Sequence, residues 1–122
     1  MQIYKARPFA RFARQEQISD TRLVEAMRRA DRGLIDANLG GGLIKQRVAR
    51  PGQGRSGGYR VIVAYRQEHR AVFLYGFAKN ERTNIAGDEL AELRILGQNW
   101  LNATTGTIDE ALDDGVLQEV ES

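Results

Sequence analysis

The first third of the chain shows a pattern of apolar and polar positions that predicts one short strand and two helices. Residues 2–6 have the pattern of a strand, and Pro8–Gln15 that of a helix with proline in its first turn, where no N–H is needed. The second helix is predicted to begin after Ser19, an N-cap residue type, and to end before Gly33, which is typical of the position just past a helix. Apolar residues recur at helical spacing, so residues 8–32 are predicted to form a helical hairpin with one apolar face.

After Gly33 the apolar period shortens from 3.6 toward 2, which indicates strands. Leu34–Leu39 fits either a short strand or an irregular segment. A glycine run at 40–42 is followed by three segments rich in β-branched and aromatic residues, which we predict to be strands: Leu43–Ala49, Gly58–Arg66 and Ala71–Lys79. The short polar connection between the last two suits a hairpin turn, so these two are expected to pair antiparallel.

The last third is predicted to be mainly helical. Asn84 is expected to cap a helix over Ile85–Leu101, with a buried stripe formed by Leu90, Leu93, Leu96 and Trp100. Thr107-Ile108-Asp109-Glu110 matches a capping box for one further turn ending near Gly115, and Val116–Val120 alternates like a closing edge strand. The order β-α-α-β-β-β-α-β predicts an α+β domain with a mainly antiparallel sheet.

Length and composition limit the classes of protein to consider. A chain of 122 residues suits a single domain, with a core over 1–102 and an acidic extension over 103–122. It has no cysteine, which excludes disulfides and thiolate zinc sites and favours a reducing, cytoplasmic location. His69 is the single histidine and stands among charged residues, so we expect a surface position. Without cysteine and with one histidine we expect no zinc site, and we expect no other metal and no cofactor. We expect no membrane segment, because the longest nearly apolar run, Ala71–Ala78, is too short to span a bilayer.

Charge is distributed unevenly along the chain. Residues 1–82 carry 17 lysines and arginines against 7 acids, whereas residues 83–122 carry 1 against 9. The stretch between Asp36 and Glu68 contains no acid, and its cations are Lys45, Arg47, Arg50, Arg55, Arg60 and Arg66. Such a block attracts phosphates or an acidic protein. A solvated surface neutralised by the acidic C-terminal part explains it equally well.

Two of the predicted strands concentrate cations on one face. Residues two apart in a strand share a face, so Lys45 and Arg47 point together, away from their apolar neighbours. Arg60 alternates with valines on the facing strand in the same way. We therefore predict that the three cations gather on one exposed face, which suits a phosphate that gains charge during a reaction. Three unrelated surface cations are the alternative.

The glycine-rich loop and the strand aromatics give weaker signals. Gly52–Gly57 matches GxGxxG, but a strand-like segment follows it, so a dinucleotide site is rejected. The loop then serves either as a flexible phosphate-contacting segment or as a plain hairpin connection. Alternation predicts Phe73, Tyr75, Phe77 and Lys79 on one face, mostly in the core, with one or two aromatics free to stack on RNA bases.

Several motifs together resemble those of the HigB-like branch of the RelE/ParE toxin superfamily. They cover about residues 1–102 and are Phe9-Ala10-Arg11-Phe12-Ala13, Leu39-Gly40-Gly41-Gly42-Leu43, Lys45-x-Arg47-x-Ala49-Arg50, Ser56-Gly57-Gly58-Tyr59-Arg60, Tyr75-Gly76-Phe77-x-Lys79 and Asn84-Ile85. The resemblance implies a helical hairpin packed on a twisted, mainly antiparallel sheet with a C-terminal helix. It also implies a ribosome-dependent endoribonuclease that cleaves mRNA without a metal. Its expected partner is a helix-turn-helix antitoxin, with a heterotetramer as one expected assembly.

In such enzymes the ribose 2′-OH attacks the adjacent phosphate and leaves a 2′,3′-cyclic phosphate and a 5′-OH. The resemblance implies that Lys45 is the candidate base, and that Arg47 and Arg60 stabilise the charge developing on phosphorus. Lys79 would bind a phosphate or the leaving group. We add four candidate contacts to RNA or its phosphates: Arg50, Arg55, Tyr59 and Arg82.

The resemblance leaves two questions open. Asn80 and Ala86 stand where many relatives have an arginine and a tyrosine. The resemblance therefore identifies no general acid in this chain. The same superfold also carries gyrase-inhibiting toxins, and a non-catalytic binding module or a toxin relic that only binds antitoxin fits it as well. The three cations Lys45, Arg47 and Arg60 discriminate between these, because RNA cleavage needs them and gyrase binding does not.

Overall fold

The computed structural model of the protein describes residues 1–50, 54–79, 81 and 84–121, with the backbone alone for residues 54–57. The elements in chain order are β1 (Gln2–Ala6), α1 (Arg7–Gln15), α2 (Asp20–Asp31), β2 (Ala37–Gly40), β3 (Leu43–Arg50), β4 (Gly54–Arg66), β5 (Arg70–Ala78), α3 (Gly87–Asn102), α4 (Thr105–Asp113) and β6 (Leu117–Glu119). Among these described residues, none of the helices has both the length and the apolar character needed to cross a bilayer.

The strands of the described residues form one sheet in the order β2-β3-β4-β5-β1-β6. All neighbours run antiparallel except β1 and β5, which are parallel. The predicted α+β class with a mainly antiparallel sheet is therefore confirmed. The predicted order of elements lacked β2, because the pattern of Leu34–Leu39 was ambiguous. The strand Ala37–Gly40 overlaps the end of this segment, pairs with β3 and forms the edge strand.

Helices cover both faces of the sheet and define two apolar layers. The helical hairpin α1–α2 packs on one face, where Phe9, Leu23 and Met27 are fully buried. α3 and α4 pack on the other face, where Leu101 and Ile108 join the second apolar layer. Burying a side chain of this size contributes about 1.5–3 kcal/mol. The two layers therefore hold the sheet rigidly between them.

The N-terminal elements agree with the sequence-based predictions. β1, α1 and α2 lie within a residue or two of their predicted bounds, and Ser19 occupies the N-cap position of α2. Its side chain makes no capping hydrogen bond. Gly33 adopts φ +82° just past the helix, a left-handed conformation that glycine tolerates without strain.

The prediction that Asn84 caps the long C-terminal helix is wrong. α3 begins at Gly87, and its N-cap is Ala86. The Asn84 side-chain oxygen accepts a hydrogen bond from the adjacent Ile85 N–H, at 2.9 Å. The Glu89 carboxylate accepts one from the Ala86 N–H, at 3.3 Å. Asn84 stays outside the helix because its short side chain is satisfied by the nearest backbone donor.

The predicted buried stripe of α3 is partly wrong. Leu96 is 39% exposed, whereas the buried positions of the helix are Gly97 and Leu101. A Cβ atom at Gly97 would lie 2.8 Å from Leu43 Cδ2, so the missing side chain lets α3 approach the sheet closely. Arg70 anchors the end of α3, donating to the Trp100 and Ala103 carbonyls at 2.9 and 2.8 Å.

The C-terminal extension contains a helix and an edge strand, as predicted, but the helix begins earlier. Thr104 is the N-cap of α4, and its hydroxyl oxygen accepts a hydrogen bond from the Thr107 N–H at 3.1 Å. Thr107 therefore lies inside the helix instead of capping it. The predicted end near Gly115 is confirmed, and β6 forms the sheet edge beside β1.

Candidate active site

The β3–β4 hairpin brings Lys45, Arg47 and Arg60 onto one face of the sheet. Arg47 and Arg60 are direct cross-strand partners, and Lys45 is paired with Ile62, two residues along β4 from Arg60. Ile62 belongs to the apolar layer under α3, so the cations lie on the α3 side of the sheet. The three side chains, called here the three-cation cluster, thus meet on one face, as the alternation predicted.

A carboxylate that the sequence analysis did not include lies within the three-cation cluster. Asp36 Oδ1 accepts a hydrogen bond from Arg47 Nε at 2.8 Å. Asp36 Oδ2 lies 3.9 Å from Lys45 Nζ and 3.9 Å from Arg60 Nε. All three cations are therefore within ion-pair distance of one largely buried acid.

Gln46 fixes the backbone that carries Asp36. Its side chain is fully buried, and its amide oxygen accepts a hydrogen bond from the Asp36 N–H at 2.9 Å. Its amide nitrogen donates to the Ala26 carbonyl at 2.9 Å and to the Leu34 carbonyl at 3.1 Å. A buried amide is tolerated because its donors and acceptor find partners. Gln46 thereby ties the segment before β2 to both α2 and β3.

The three-cation cluster is less exposed than predicted. The side chains of Arg60, Lys45 and Arg47 are 7%, 18% and 47% exposed. Burial lowers the pKa of Arg60, an effect that Asp36 opposes and Arg47 reinforces. Arginine nevertheless stays charged at neutral pH, because its ordinary pKa is so high. Arg47 is therefore the cation most accessible to a ligand, while Arg60 is a nearly buried fixed charge.

A surface cleft of about 360 Å³ lies beside the cluster. It is lined by Arg29, Leu34, Ile35, Asp36, Gln46 and Arg47. Arg29 of α2 donates to the Arg47 carbonyl at 2.5 Å and to Glu25 at 2.9 Å, so α2 is tied to β3 at this point. An anion entering the cleft meets both Arg47 and the carboxylate of Asp36.

Lys79, the fourth predicted catalytic residue, is the first residue after β5. It is exposed, and its N–H donates to the Gly58 carbonyl at 3.2 Å. Phe77, two residues earlier, pairs with Arg60 across the β4–β5 ladder. The Lys79 backbone therefore lies near the same end of the sheet as Arg60, and its role in binding phosphate stays a prediction.

Tyr59 and Arg50, two of the predicted RNA contacts, lie away from the cluster. Tyr59 is buried on the opposite face, where its hydroxyl donates to Glu16 Oε1 at 2.9 Å. Burial, and then the hydrogen bond to Glu16, raise the pKa of Tyr59. The Arg50 guanidinium lies 5.6 Å from the centre of the Tyr59 ring. The prediction that Tyr59 contacts RNA is wrong, because core side chains and Arg50 cover its ring.

The predicted common face for the β5 aromatics is also wrong. The β4–β5 register shifts between Ile62 and Val63, which inserts an extra residue into β5 and reverses the alternation. Phe73 therefore packs under α1 and α2, whereas Tyr75 joins the layer under α3. The Tyr75 and Phe77 rings are 6.1 Å apart.

The remaining predicted positions divide into two groups. His69 lies exposed in the β4–β5 turn, in agreement with its predicted surface position. The side chain of Arg55, Arg82 and part of the Gly52–Gly57 loop lie outside the described residues, so their RNA contacts stay predictions. The sequence analysis did not include Asp36 among the site residues. One signal pointed to it, because Asp36 is the last acid before the long acid-free stretch of the sequence.

The fold and the cluster define a small α+β protein whose sheet carries a cationic face next to an open cleft. The family model described as RelE toxin of the RelE / RelB toxin-antitoxin system matches residues 1–120. Since that match spans nearly the whole chain, the protein belongs to the RelE toxin family. Membership implies an antitoxin as partner, and it extends the likeness seen in the motifs to the C-terminal residues. The narrower HigB-like assignment stays a prediction.

Proposed function

We propose that this toxin is a metal-independent endoribonuclease that cuts mRNA on the ribosome. The observation that carries the proposal is the three-cation cluster on one rigid hairpin, within a toxin of the RelE family. Phosphoryl transfer to a ribose 2′-oxygen builds negative charge on the phosphate oxygens. Fixed cations at that place stabilise the transition state more than the ground state.

The proposed reaction is a transesterification within the RNA. The ribose 2′-oxygen forms a bond to phosphorus as the bond to the 5′-oxygen breaks, leaving a 2′,3′-cyclic phosphate and a 5′-OH. Lys45 is the candidate base that takes the proton of the 2′-OH, and water protonates the departing 5′-oxygen. Arg47 and Arg60 hold the phosphate oxygens, and Lys79 binds a neighbouring phosphate. Removing one such donor from an active site costs about a hundred- to a thousandfold in rate.

Dependence on the ribosome follows from how little of the substrate this surface can recognise. Tyr59 is buried, so one of the candidate ring surfaces for RNA is removed. Holding the mRNA in an attacking geometry then falls to the ribosome, and such positioning supplies a large share of a barrier reduction. A helix-turn-helix antitoxin in a heterotetramer with the toxin, in the cytoplasm, completes the proposal. An acidic segment of that antitoxin would complement the cationic face.

The test is primer extension on cellular mRNA after brief induction of the toxin. The informative variant is Lys45→Ala with Arg47→Ala, which spares the buried Arg60. The matched control is Arg11→Ala with Arg14→Ala, which removes two exposed arginines from α1. We expect new 5′ ends with the wild type and the control, and a loss of at least about a hundredfold with the cluster variant.

Far-UV circular dichroism and urea midpoints of all these proteins check that they are folded, because the cluster variant also removes cations that would meet the antitoxin. Undiminished cleavage by the cluster variant would refute the site. Supercoiling defects without mRNA cleavage would instead identify the toxin as a gyrase inhibitor.

A further inference from the structure

Asp36 presents its carboxylate to the same donors that a bound phosphate would use. Arg47 Nε is 2.8 Å from one carboxylate oxygen, and Lys45 Nζ and Arg60 Nε are each 3.9 Å from the other. Guanidinium groups bind carboxylates and phosphates through the same N–H geometry. The anion that faces the three cations in this structure is therefore a carboxylate of the chain itself, that of Asp36.

We propose that Asp36 is an internal competitor for the phosphate of the substrate. In the free toxin it pairs with the three cations and limits their repulsion. When RNA binds, Arg47 shifts its hydrogen bonding from Asp36 to a phosphate oxygen. This inference rests on the proposed function, since it assigns the regulation of substrate binding at that same site.

Because Asp36 is held in place, its carboxylate continues to compete with the RNA phosphate after RNA has bound. Gln46 holds the Asp36 N–H from a fully buried position, so the carboxylate stays close to the cluster when a ligand arrives. Arg47 is half exposed and borders the cleft, which makes it the cation best able to change partners. The negative charge of Asp36 then weakens RNA binding at every stage of the encounter.

A purely structural role for Asp36 predicts the opposite sign. If the carboxylate only oriented the cations, its neutralisation would loosen Arg47 and weaken RNA binding. If it competes, neutralisation strengthens binding. Removing one like charge a few ångströms from a phosphate at a partly exposed site corresponds to about five- to tenfold in affinity.

The experiment compares Asp36→Asn with Asp113→Asn, an equal change of charge at an exposed position in α4. The probe is a fluorescent single-stranded RNA with 2′-O-methyl riboses, which cannot be cleaved, and its Kd is measured by anisotropy at one fixed salt concentration. We expect Asp36→Asn to lower the Kd about five- to tenfold and Asp113→Asn to change it less than about twofold. Binding by Asp36→Asn that equals the control or is weaker overturns the proposal, as does a lack of saturable binding in all three proteins.

A second measurement on the wild type covers the case in which Asp36→Asn does not fold. The Nε–H signal of Arg47 is assigned in NMR spectra by its loss in Arg47→Lys, and the RNA is then titrated. A saturable shift of this signal supports the exchange of partners, and a fixed signal at saturating RNA overturns it. The primer extension described above is read separately. Cleavage that needs the cluster, together with unchanged RNA affinity in Asp36→Asn, refutes only the role of Asp36. Tighter binding by Asp36→Asn without any cleavage by the wild type refutes only the nuclease.

Discussion

Replacement of the buried Gln46 by leucine tests how the site is held together. Leucine has a similar volume but removes the hydrogen bonds to the Asp36 N–H and to the Ala26 and Leu34 carbonyls. Leaving a buried polar group without a partner costs about 1–3 kcal/mol. The Ala26 carbonyl belongs to α2, where helical hydrogen bonding is available to it, and we expect the Asp36 N–H to dominate the loss. The apolar gain of leucine offsets about 1 kcal/mol of this cost, and we expect Gln46→Leu to lower the free energy of unfolding by about 1–2 kcal/mol.

Urea unfolding followed by far-UV circular dichroism measures this loss as a shift of the midpoint at constant slope. The control is Gln67→Leu, the same chemical change in the exposed β4–β5 turn, which should stay within about 0.5 kcal/mol of the wild type. If Gln46→Leu shifted the midpoint no more than Gln67→Leu does, the hydrogen bonds of Gln46 would not be what fixes the Asp36 segment.

Two further substitutions test the packing of α3 and the ionisation of a partly buried phenol. Gly97→Ala should destabilise by about 1–2 kcal/mol, although alanine favours helices, because its Cβ would lie 2.8 Å from Leu43 Cδ2. Gly87→Ala, which meets nothing within 4 Å in the same helix, should be neutral or stabilising, and equal shifts in Tm for the two would contradict this account. Burial, and then its 2.5 Å hydrogen bond to Asp31, raise the pKa of Tyr65 above the ordinary 10.0. Its contribution to stability is thus present below pH 10 and falls as pH rises further, because the unfolded chain ionises first. Urea midpoints should therefore fall less steeply above pH 10 in Tyr65→Phe than in the wild type, and identical slopes would count against this ionisation.

Much of the fold could be predicted because its signals are local. Pro8 and Gly33 mark helix boundaries by their backbone restrictions, and alternation in β3 and β4 sets which side chains share a face. That alternation was enough to bring Lys45, Arg47 and Arg60 together. The short connection between β4 and β5 was enough to predict that these two strands pair antiparallel.

The errors arise where a distant contact overrides a local pattern. Asp36 lies in a segment with no clear period, and only the pairing of the following strand, β2, with β3 brings it to the cations. The bulge between β4 and β5 separates Phe73 from Tyr75, and the alternation of apolar and polar residues in these strands does not show where it lies. Tyr59 looks like a stacking residue next to Arg60, but its burial depends on α1, which packs on that side of the sheet.

The place of β1 within the sheet has a consequence for the order in which the toxin matures during synthesis. β1 is translated early, yet it pairs with β5 and β6, which begin at Arg70 and Leu117. The β3–β4 hairpin, which carries the cations, needs only its own short stretch of chain to form, whereas β1 must wait for partners of high sequence separation. Since the pairing of β3 with β4 is local, we expect it to form before β1 has found both of its partners, and we expect docking of β1 to be a late step in producing a complete toxin.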